Sequence, residues 1–464
     1  MDKPILVWFR QDLRLSDHPA LAAAAAKGEV IPLFILDDET PREWRWGGAS
    51  RWWLHRSLSS LLKSVPLLLR RGRADDVLRD VLRKSGAMSL YFTRDYAPCS
   101  AALEQRVKAV CDELNIDCHR HGGFLLHEPE SIRNGQGEPY KVYTPFSRAC
   151  FAKGAPRLLK PKPQVKWAKH TLPSETLESL ELSPLKPNWA TGFEDEWQPG
   201  EEGAKHLLIR FLDKALEHYA EGRDRPDKAF TSRLSAHLHW GEISPHQVWH
   251  ATRTAMAAAE GALDAGGEKF LKEVLWREFA YSLLHHWPEL PQKSFKPEYE
   301  KFPWVKDDVA LRKWQRGQTG YPIVDAGMRE LWATGIMHNR VRMIVASFLI
   351  KHLQINWREG ERWFWDTLVD ADIASNAASW QWVAGCGADA SPYYRIFNPM
   401  LQGSKFDPEG AYVKRWVPEL QSVPAEHIHA PWEMPEPPKN YPAPMVDHAT
   451  ARTRAMAAFA QIKR

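Results

Sequence analysis

The sequence predicts two domains of different class: an α/β domain on an open parallel sheet, then a large all-α domain. Three observations predict them. Short apolar runs of strand length alternate with helical stretches from residue 5 to about 124. A polar, proline-rich tract from 125 to 200 then breaks the pattern. From 201 to 464 nearly every segment reads as helix, with no repeat period.

In the first domain, Ile5 to Phe9 is an apolar run of the buried-strand type. Ser16 and Asp17 offer an N-cap to the alanine-rich stretch Ala20 to Ala26, which Gly28 ends. Val30 to Leu36, Leu67 to Leu69, Ser89 to Phe92 and a run near Ile116 to Cys118 are the other strands. Helices fall between them. One is capped by Ser50 and carries Trp52, Trp53, Leu54, Leu58 and Leu61; the others run from Ala74 to Lys84 and Ala101 to Leu114. Strands covered on both faces and joined by helices make a Rossmann-like parallel sheet. No Gly-x-Gly-x-x-Gly follows the first strand, so the sheet alone does not imply a dinucleotide.

The tract at 125–200 reads as an interdomain linker. Lys153 to His170 holds six Lys or Arg and no acid, whereas Glu175 to Glu202 has eight acids against one Lys. Both halves read as solvated connector, with contact of the basic half to nucleic acid as the alternative. Helices of the all-α domain include Ala204 to Tyr219, Glu268 to His286, Ile323 to Ala333 and Asn339 to Ile355.

Composition narrows the function classes. The 62 Lys and Arg against 58 Asp and Glu leave a charge of +4, so no overall field identifies a partner. With 44% hydrophobic residues, wholesale disorder is excluded. No apolar run approaches the ~20 residues of a membrane span, and Met1-Asp2-Lys3-Pro4 opens no signal-peptide pattern. Five cysteines without a Cys-x-x-Cys speak against a disulfide framework or zinc site, and for a reducing, cytoplasmic setting. Of 22 Trp, ten lie between Trp276 and Trp382, a density that asks for a cause because the indole N–H is awkward in a core.

Four constellations carry possible chemistry. Tyr219-x-x-x-Arg223 followed by Thr231-Ser232-Arg233-Leu234-Ser235 suits a phosphate, or is a plain Ser/Thr helix cap. Glu273, Trp276 and Arg277 share a helical face, either as a site or as a Glu–Arg pair beside a core indole. Asn339, Arg342 and Met343 head an otherwise apolar face, so the guanidinium needs a buried partner, with Asp370 and Asp372 the nearest candidates. Ion pairing and ligand binding satisfy that demand equally. In the stretch Asp370 to Trp382, Asp-x-Asp lacks a third ligand at metal spacing, so no metal is expected; Asn376 and Trp380 project from one face.

Jointly these segments resemble the DNA photolyase/cryptochrome family over nearly the whole chain. The likeness begins at Trp8-Phe9-Arg10-Gln11-Asp12-Leu13-Arg14-Leu15-Ser16-Asp17. It continues through Thr231 to Ser235, Trp276-Arg277-Glu278, Gly317 to Ala326, Met337 to Met343, Asp370 to Trp382 and Tyr394-Arg395-Ile396-Phe397-Asn398-Pro399. Ser50-Arg51-Trp52-Trp53-Leu54 looks like the bacterial branch related to plant cryptochromes.

The resemblance implies FAD in the helical domain. Tyr219 and Thr231, Ser232, Arg233, Leu234 and Ser235 would cradle its phosphates, and Phe270, Arg277, Arg342, Asp370, Asp372 and Asn376 its rings. It implies light-driven repair of cyclobutane pyrimidine dimers in DNA, with a cryptochrome-type blue-light photoreceptor as the alternative. Glu273, Asn339 and Asn376 would act at the lesion or flavin, with Trp276, Met343 and Trp382 walling the dimer and Arg340 and Arg395 on phosphates. Trp380, Trp357 and Trp304 match the family's electron-hopping chain, with Trp314, Trp363 and Trp365 as side routes. Asn376 favours repair, since plant signalling members tend to carry Asp there. Phe270 and Ile336 stand where some relatives place Trp. Ser100 falls near where some members place an antenna-binding Glu, and a methenyltetrahydrofolate antenna between the domains is expected. Only one histidine, His338, stands where (6-4) repairers carry a pair. A monomer, with no membrane association, is expected.

Overall fold

The structure, a computed structural model, describes residues 3–390 and 394–462. The chain divides into two compact units. One comprises Met1–Trp189, Trp197–Glu217 and Ser232–Pro288; the other comprises Ala190–Glu196, His218–Thr231 and Glu289–Arg464.

The first unit holds a five-stranded, all-parallel sheet in the order β3-β2-β1-β4-β5, with β1 Ile5–Phe9, β2 Val30–Leu36, β3 Leu68–Arg71, β4 Ser89–Thr93 and β5 Asp117–His121. The expected strands are all present, the first two with the expected ends and the others with ends shifted by at most three residues. The intervening helices are α1 Pro19–Ala25, α2 Gly48–Leu62, α3 Ala74–Ser85 and α4 Ser100–Glu113. Leu6, Trp8, Ile31, Leu33, Leu90 and Phe92 share one face of the sheet and form a core there with Leu78 and Val107, while Ile5, Val7, Phe9, Val30 and Phe34 are buried on the other. β5 is polar and largely exposed, as suits an edge strand.

Two expected caps are corrected. α1 is capped by His18, whose Nδ1 accepts from the Leu21 N–H at 3.2 Å. Asp17 is drawn away because it adopts φ 49° and binds Arg157 through two contacts of 2.6 and 3.0 Å. α2 is capped by Gly47, and Ser50 lies inside its first turn.

The stretch expected as a loose linker is docked. Trp167 bridges Val30, and Leu69 exchanges hydrogen bonds with Ser174 and Glu175 at 3.0 and 2.8 Å. Segments 197–217 and 232–288 belong to the same compact unit as the sheet, so the units part elsewhere than at the expected 124 and 200. The loop after β1 explains this. Leu13 N–H donates to the Trp240 carbonyl at 3.2 Å and Arg14 Nη1 to that of Gly241 at 2.9 Å. Gly241 has φ 64°, and a Cβ there would lie 2.0 Å from the Gln11 oxygen, so only glycine fits. Buried Glu242 accepts from Trp53 Nε1 at 3.1 Å and from Gly200 N–H at 2.7 Å.

The second unit is helical. The helix expected over Asn339 to Ile355 is α-helical only over Asn339–Ser347 and then widens into a π turn, Phe348–His352, before Gln354 turns left-handed at φ 57°. The Pro322–Thr334 helix is anchored by Asp325, which is fully buried. Its carboxylate accepts from Thr319 N–H and Oγ at 2.7 Å each, from Gly320 N–H at 3.0 Å, and from the Tyr441 hydroxyl at 2.5 Å. The Gly-Gln-Thr-Gly-Tyr-Pro motif is thus a loop folded around one carboxylate. Asp325→Ala strands these donors in a dry interior, so thermal or urea unfolding is expected to show a loss of about 3 kcal/mol or more; an unchanged midpoint contradicts the anchoring role.

Candidate functional site

In the second unit, half of the predicted residues lie on the Asn339–Ser347 and Ile373–Ala384 helices. His338 caps the first, its Nδ1 accepting from Arg340 N–H at 3.2 Å. Burial lowers its pKa to about 4, so the ring is neutral at pH 7. The Glu330 carboxylate receives the His338 N–H at 3.2 Å and the Tyr412 hydroxyl at 2.6 Å, which fixes the turn into the helix. Arg342 reaches back, with Nε on the Met337 carbonyl at 2.7 Å and Nη2 on the Asp370 oxygens at 2.9 and 3.1 Å. Of the two carboxylates expected to answer Arg342, Asp370 does so. Asp372 instead caps the next helix, accepting from Ser375 N–H at 2.8 Å. Asn376 donates Nδ2 to the Glu361 carbonyl at 3.0 Å, which orients the amide and leaves Oδ1 as its acceptor.

Three predicted indoles occupy this unit, two buried and one half-buried. Trp380 is buried edge-on against Phe364, with centroids 5.0 Å apart. Gly360 lies directly against it, since a Cβ there would approach Trp380 to 2.1 Å. Trp357 stands three residues before Gly360 on the Trp357–Thr367 helix and so shares its face. It is fully buried, whereas Trp304 is half-buried and packs on Phe302 at 4.3 Å. Trp314 is buried 6.3 Å from Trp380, its N–H on the Val345 carbonyl at 3.0 Å. Trp363 stacks on exposed Trp332 at 6.0 Å, and Trp365 is buried.

Asn339 is exposed and Met343 half-buried. Arg340 is already engaged, with Asp224 at 2.7 Å and the Phe406 ring at 4.5 Å. Trp382 and exposed Arg395 line one small pocket with Lys351, Ser347 and Phe397. Tyr219 is buried with the Arg223 guanidinium 5.9 Å from its ring, and Thr231 is half-buried.

The remaining residues belong to the first unit. Ser232 Oγ accepts from Leu234 N–H at 3.4 Å, Arg233 has φ 55° and lies 4.3 Å over Trp197, Leu234 is buried, and Ser235 opens a short helix. Phe270 is buried against Phe211 at 4.5 Å. Trp276 stacks face-on with Tyr143 at 3.7 Å. The Glu273–Arg277 pair of the plainer reading does not form. Glu273 meets Lys269 at 3.5 Å, while Arg277 donates to the Phe124 carbonyl at 3.0 Å and lies 4.3 Å from that ring. A guanidinium plane gains more on a buried ring and carbonyl than on a helix-surface carboxylate.

Sequence reasoning missed Glu278, Glu330 and Lys351. Lys351 is fully buried over the Tyr394 ring at 3.4 Å, and burial lowers its pKa to about 7. Its apolar neighbours Phe348 to Ile350 were the available signal. Among the described residues, no group of His, Cys, Asp and Glu is arranged to hold a metal, and no helix is long and apolar enough to cross a membrane.

The donor set of the second unit fits a flavin. A guanidinium tied to a carboxylate, an oriented carboxamide acceptor and a half-buried to buried setting match its ring N–H groups, carbonyls and ribityl hydroxyls. Fold and site together define a two-unit protein with a parallel-sheet unit and an indole-rich helical unit suited to a flavin. Residues 5–166 match the family model for DNA photolyase, and residues 270–461 match the FAD binding domain of DNA photolyase. The chain is 49% identical to a deoxyribodipyrimidine photo-lyase of Agrobacterium fabrum over 99% of this chain and 98% of that one. It is 37% identical to Cryptochrome-1 of Arabidopsis thaliana, over 98% of this chain and 70% of the relative. The crystal structure of a bacterial class III photolyase from Agrobacterium tumefaciens superposes with a TM-score of 0.95 at 48% identity, covering 100% of this chain and 98% of that one. The chain belongs to the DNA photolyase/cryptochrome family, and its cofactor is FAD.

Glu278 gives this region a pH signature. It is fully buried, accepts from Leu126 and His127 N–H at 2.8 and 3.2 Å, and burial raises its pKa from 4.5 to about 7. Between those values the folded state holds a proton that the unfolded chain has released, so this contribution is full below about 4.3 and fades as pH rises through about 7. Glu278→Gln is expected to flatten the fall in melting temperature over that window; a slope equal to the parent's contradicts the assignment.

Proposed function

We propose that this protein repairs cyclobutane pyrimidine dimers in DNA under light, as a deoxyribodipyrimidine photo-lyase. The observation that carries the reading is the pairing of full-length likeness to photo-lyases with a flavin-suited corner at Arg342, Asp370 and Asn376. Reduced FAD, when bound, would supply the light-driven electron chemistry that splits the cyclobutane ring.

The chain's residues do the rest. Tyr219, Thr231 to Ser235, Phe270, Arg277, Arg342, Asp370, Asp372 and Asn376 are proposed to hold the cofactor. The Asn376 amide, neutral and oriented by Glu361, offers an acceptor to a flavin N–H without adding negative charge beside the ring. Trp276, stiffened by its stack on Tyr143, and Trp382 offer flat surfaces to the splayed bases, each stack worth ~1–3 kcal/mol. Extrusion of the dimer is the family behaviour that this offsets. Met343 completes the apolar wall. Glu273 and Asn339 hydrogen-bond the pyrimidine edges. Arg395, exposed beside Trp382, and Arg340, once shared with Asp224, meet the phosphates.

Trp380, Trp357 and Trp304 relay electrons inward to restore oxidised cofactor, the first two buried and the last half-buried. Asn376 and Glu273 favour repair over blue-light signalling. A methenyltetrahydrofolate antenna is proposed for the 1–124 region. The protein is proposed as a cytoplasmic monomer; its five free cysteines suit a reducing compartment.

Two measurements test this. Illuminating the reduced protein with dimer-containing DNA is expected to restore normal pyrimidines while dark samples keep their dimers, and equal dimer content in both contradicts repair. Trp304→Phe is expected to slow photoreduction of oxidised flavin about tenfold or more while sparing repair by already reduced protein; unchanged photoreduction rejects the relay.

A further inference from the structure

We propose that Arg358 and Glu300 tune Trp357, so that the middle indole passes an electron vacancy on without retaining it. The inference rests on the relay reading above and adds the groups that give it a direction.

Arg358 follows Trp357 on the same helix and lies 4.5 Å from its ring centroid. Its guanidinium is held in place by the Gln292 carbonyl, at 2.9 Å from Nε and 2.5 Å from Nη2, and by the Glu300 carboxylate at 2.7 Å. Glu300 is itself fixed by the Ser294 N–H at 2.7 Å. A cation over a neutral indole is attractive through the ring quadrupole. Over an oxidised indole the attraction becomes repulsion between like charges. Arg358 therefore raises the cost of oxidising Trp357, and Glu300 moderates it.

The indole N–H points the same way. Trp357 Nε1 is buried and has no hydrogen-bond partner among the described residues. An oxidised indole settles when it loses its N–H proton to an acceptor. Trp357 lacks one, whereas half-buried Trp304 has access to water. The electron inventory is simple. One electron leaves Trp357 for oxidised Trp380, and one from Trp304 refills Trp357. The proton stays on Trp357 and leaves only from Trp304. The first oxidant is the light-excited oxidised flavin, and the last donor is a thiol reductant in solution.

Charge and packing are separable because the two partners carry opposite signs. Arg358→Gln and Glu300→Gln each weaken the same contact but shift the charge at Trp357 in opposite directions. In a Trp304→Phe background, where the vacancy is shared between Trp380 and Trp357, the lifetime of the tryptophan-radical absorption after a light flash reads the balance. Arg358→Gln is expected to lengthen it about tenfold, and Glu300→Gln to shorten it by a comparable factor. Arg358→Lys, which keeps the charge, is expected to stay near the parent. Shifts in the same direction, or no shift in either variant, overturn the tuning role. Trp357→Phe in the otherwise unaltered chain tests the relay separately: a long-lived radical signal left unchanged there removes the relay and the tuning with it.

Discussion

The second unit's site depends on how one guanidinium is neutralised. Arg342 is only 24% exposed, so its charge must be met from within the protein. The Met337 carbonyl and both Asp370 oxygens meet it. Those contacts tie the turn into one helix to the segment that opens another. Asn339 and Met343 ride on the first, and Asn376, Trp380 and Trp382 on the second. Removing either charge leaves its partner buried and alone, which costs more than the pair contributes. The relation between the two helices is therefore set electrostatically before any ligand arrives.

Around that pair, polar and apolar roles separate cleanly. Glu330 with Tyr412, and Asp325 with Thr319 and Tyr441, anchor loops without touching the proposed chemistry. The indoles sit in apolar slots, one of them opened by a missing side chain at Gly360. Several family-like segments prove to be architecture. The run from Trp8 to Asp17 grips residues 239 to 244, and the Gly317 to Tyr321 loop wraps Asp325 on the helix that follows it.

Much of the fold was legible because period and strand length carry it. The strands from Ile5 to Phe9 and Val30 to Leu36 are unbroken apolar runs. What was not legible depended on contacts distant in sequence. His18 displaced Asp17 as a cap because Arg157, 140 residues away, claimed the carboxylate. Arg277 left Glu273 for Phe124, and the linker became part of the sheet's surroundings through Trp167 and Ser174. Asp370 as the partner of Arg342 was anticipated, since a half-buried guanidinium leaves few choices. Lys351 was not, because the apolar run Phe348 to Ile350 before it was its one mark and a lysine is ordinarily at the surface.

The central claim is that the Arg342–Asp370 pair shapes the flavin-holding corner and is not merely a brace. The flavin released per chain on denaturing purified Asp370→Asn protein tests it most directly, with far-ultraviolet circular dichroism as the control for folding. Retained helicity with flavin content reduced about tenfold or more is the expected result. A folded variant that keeps its full complement of flavin contradicts the claim.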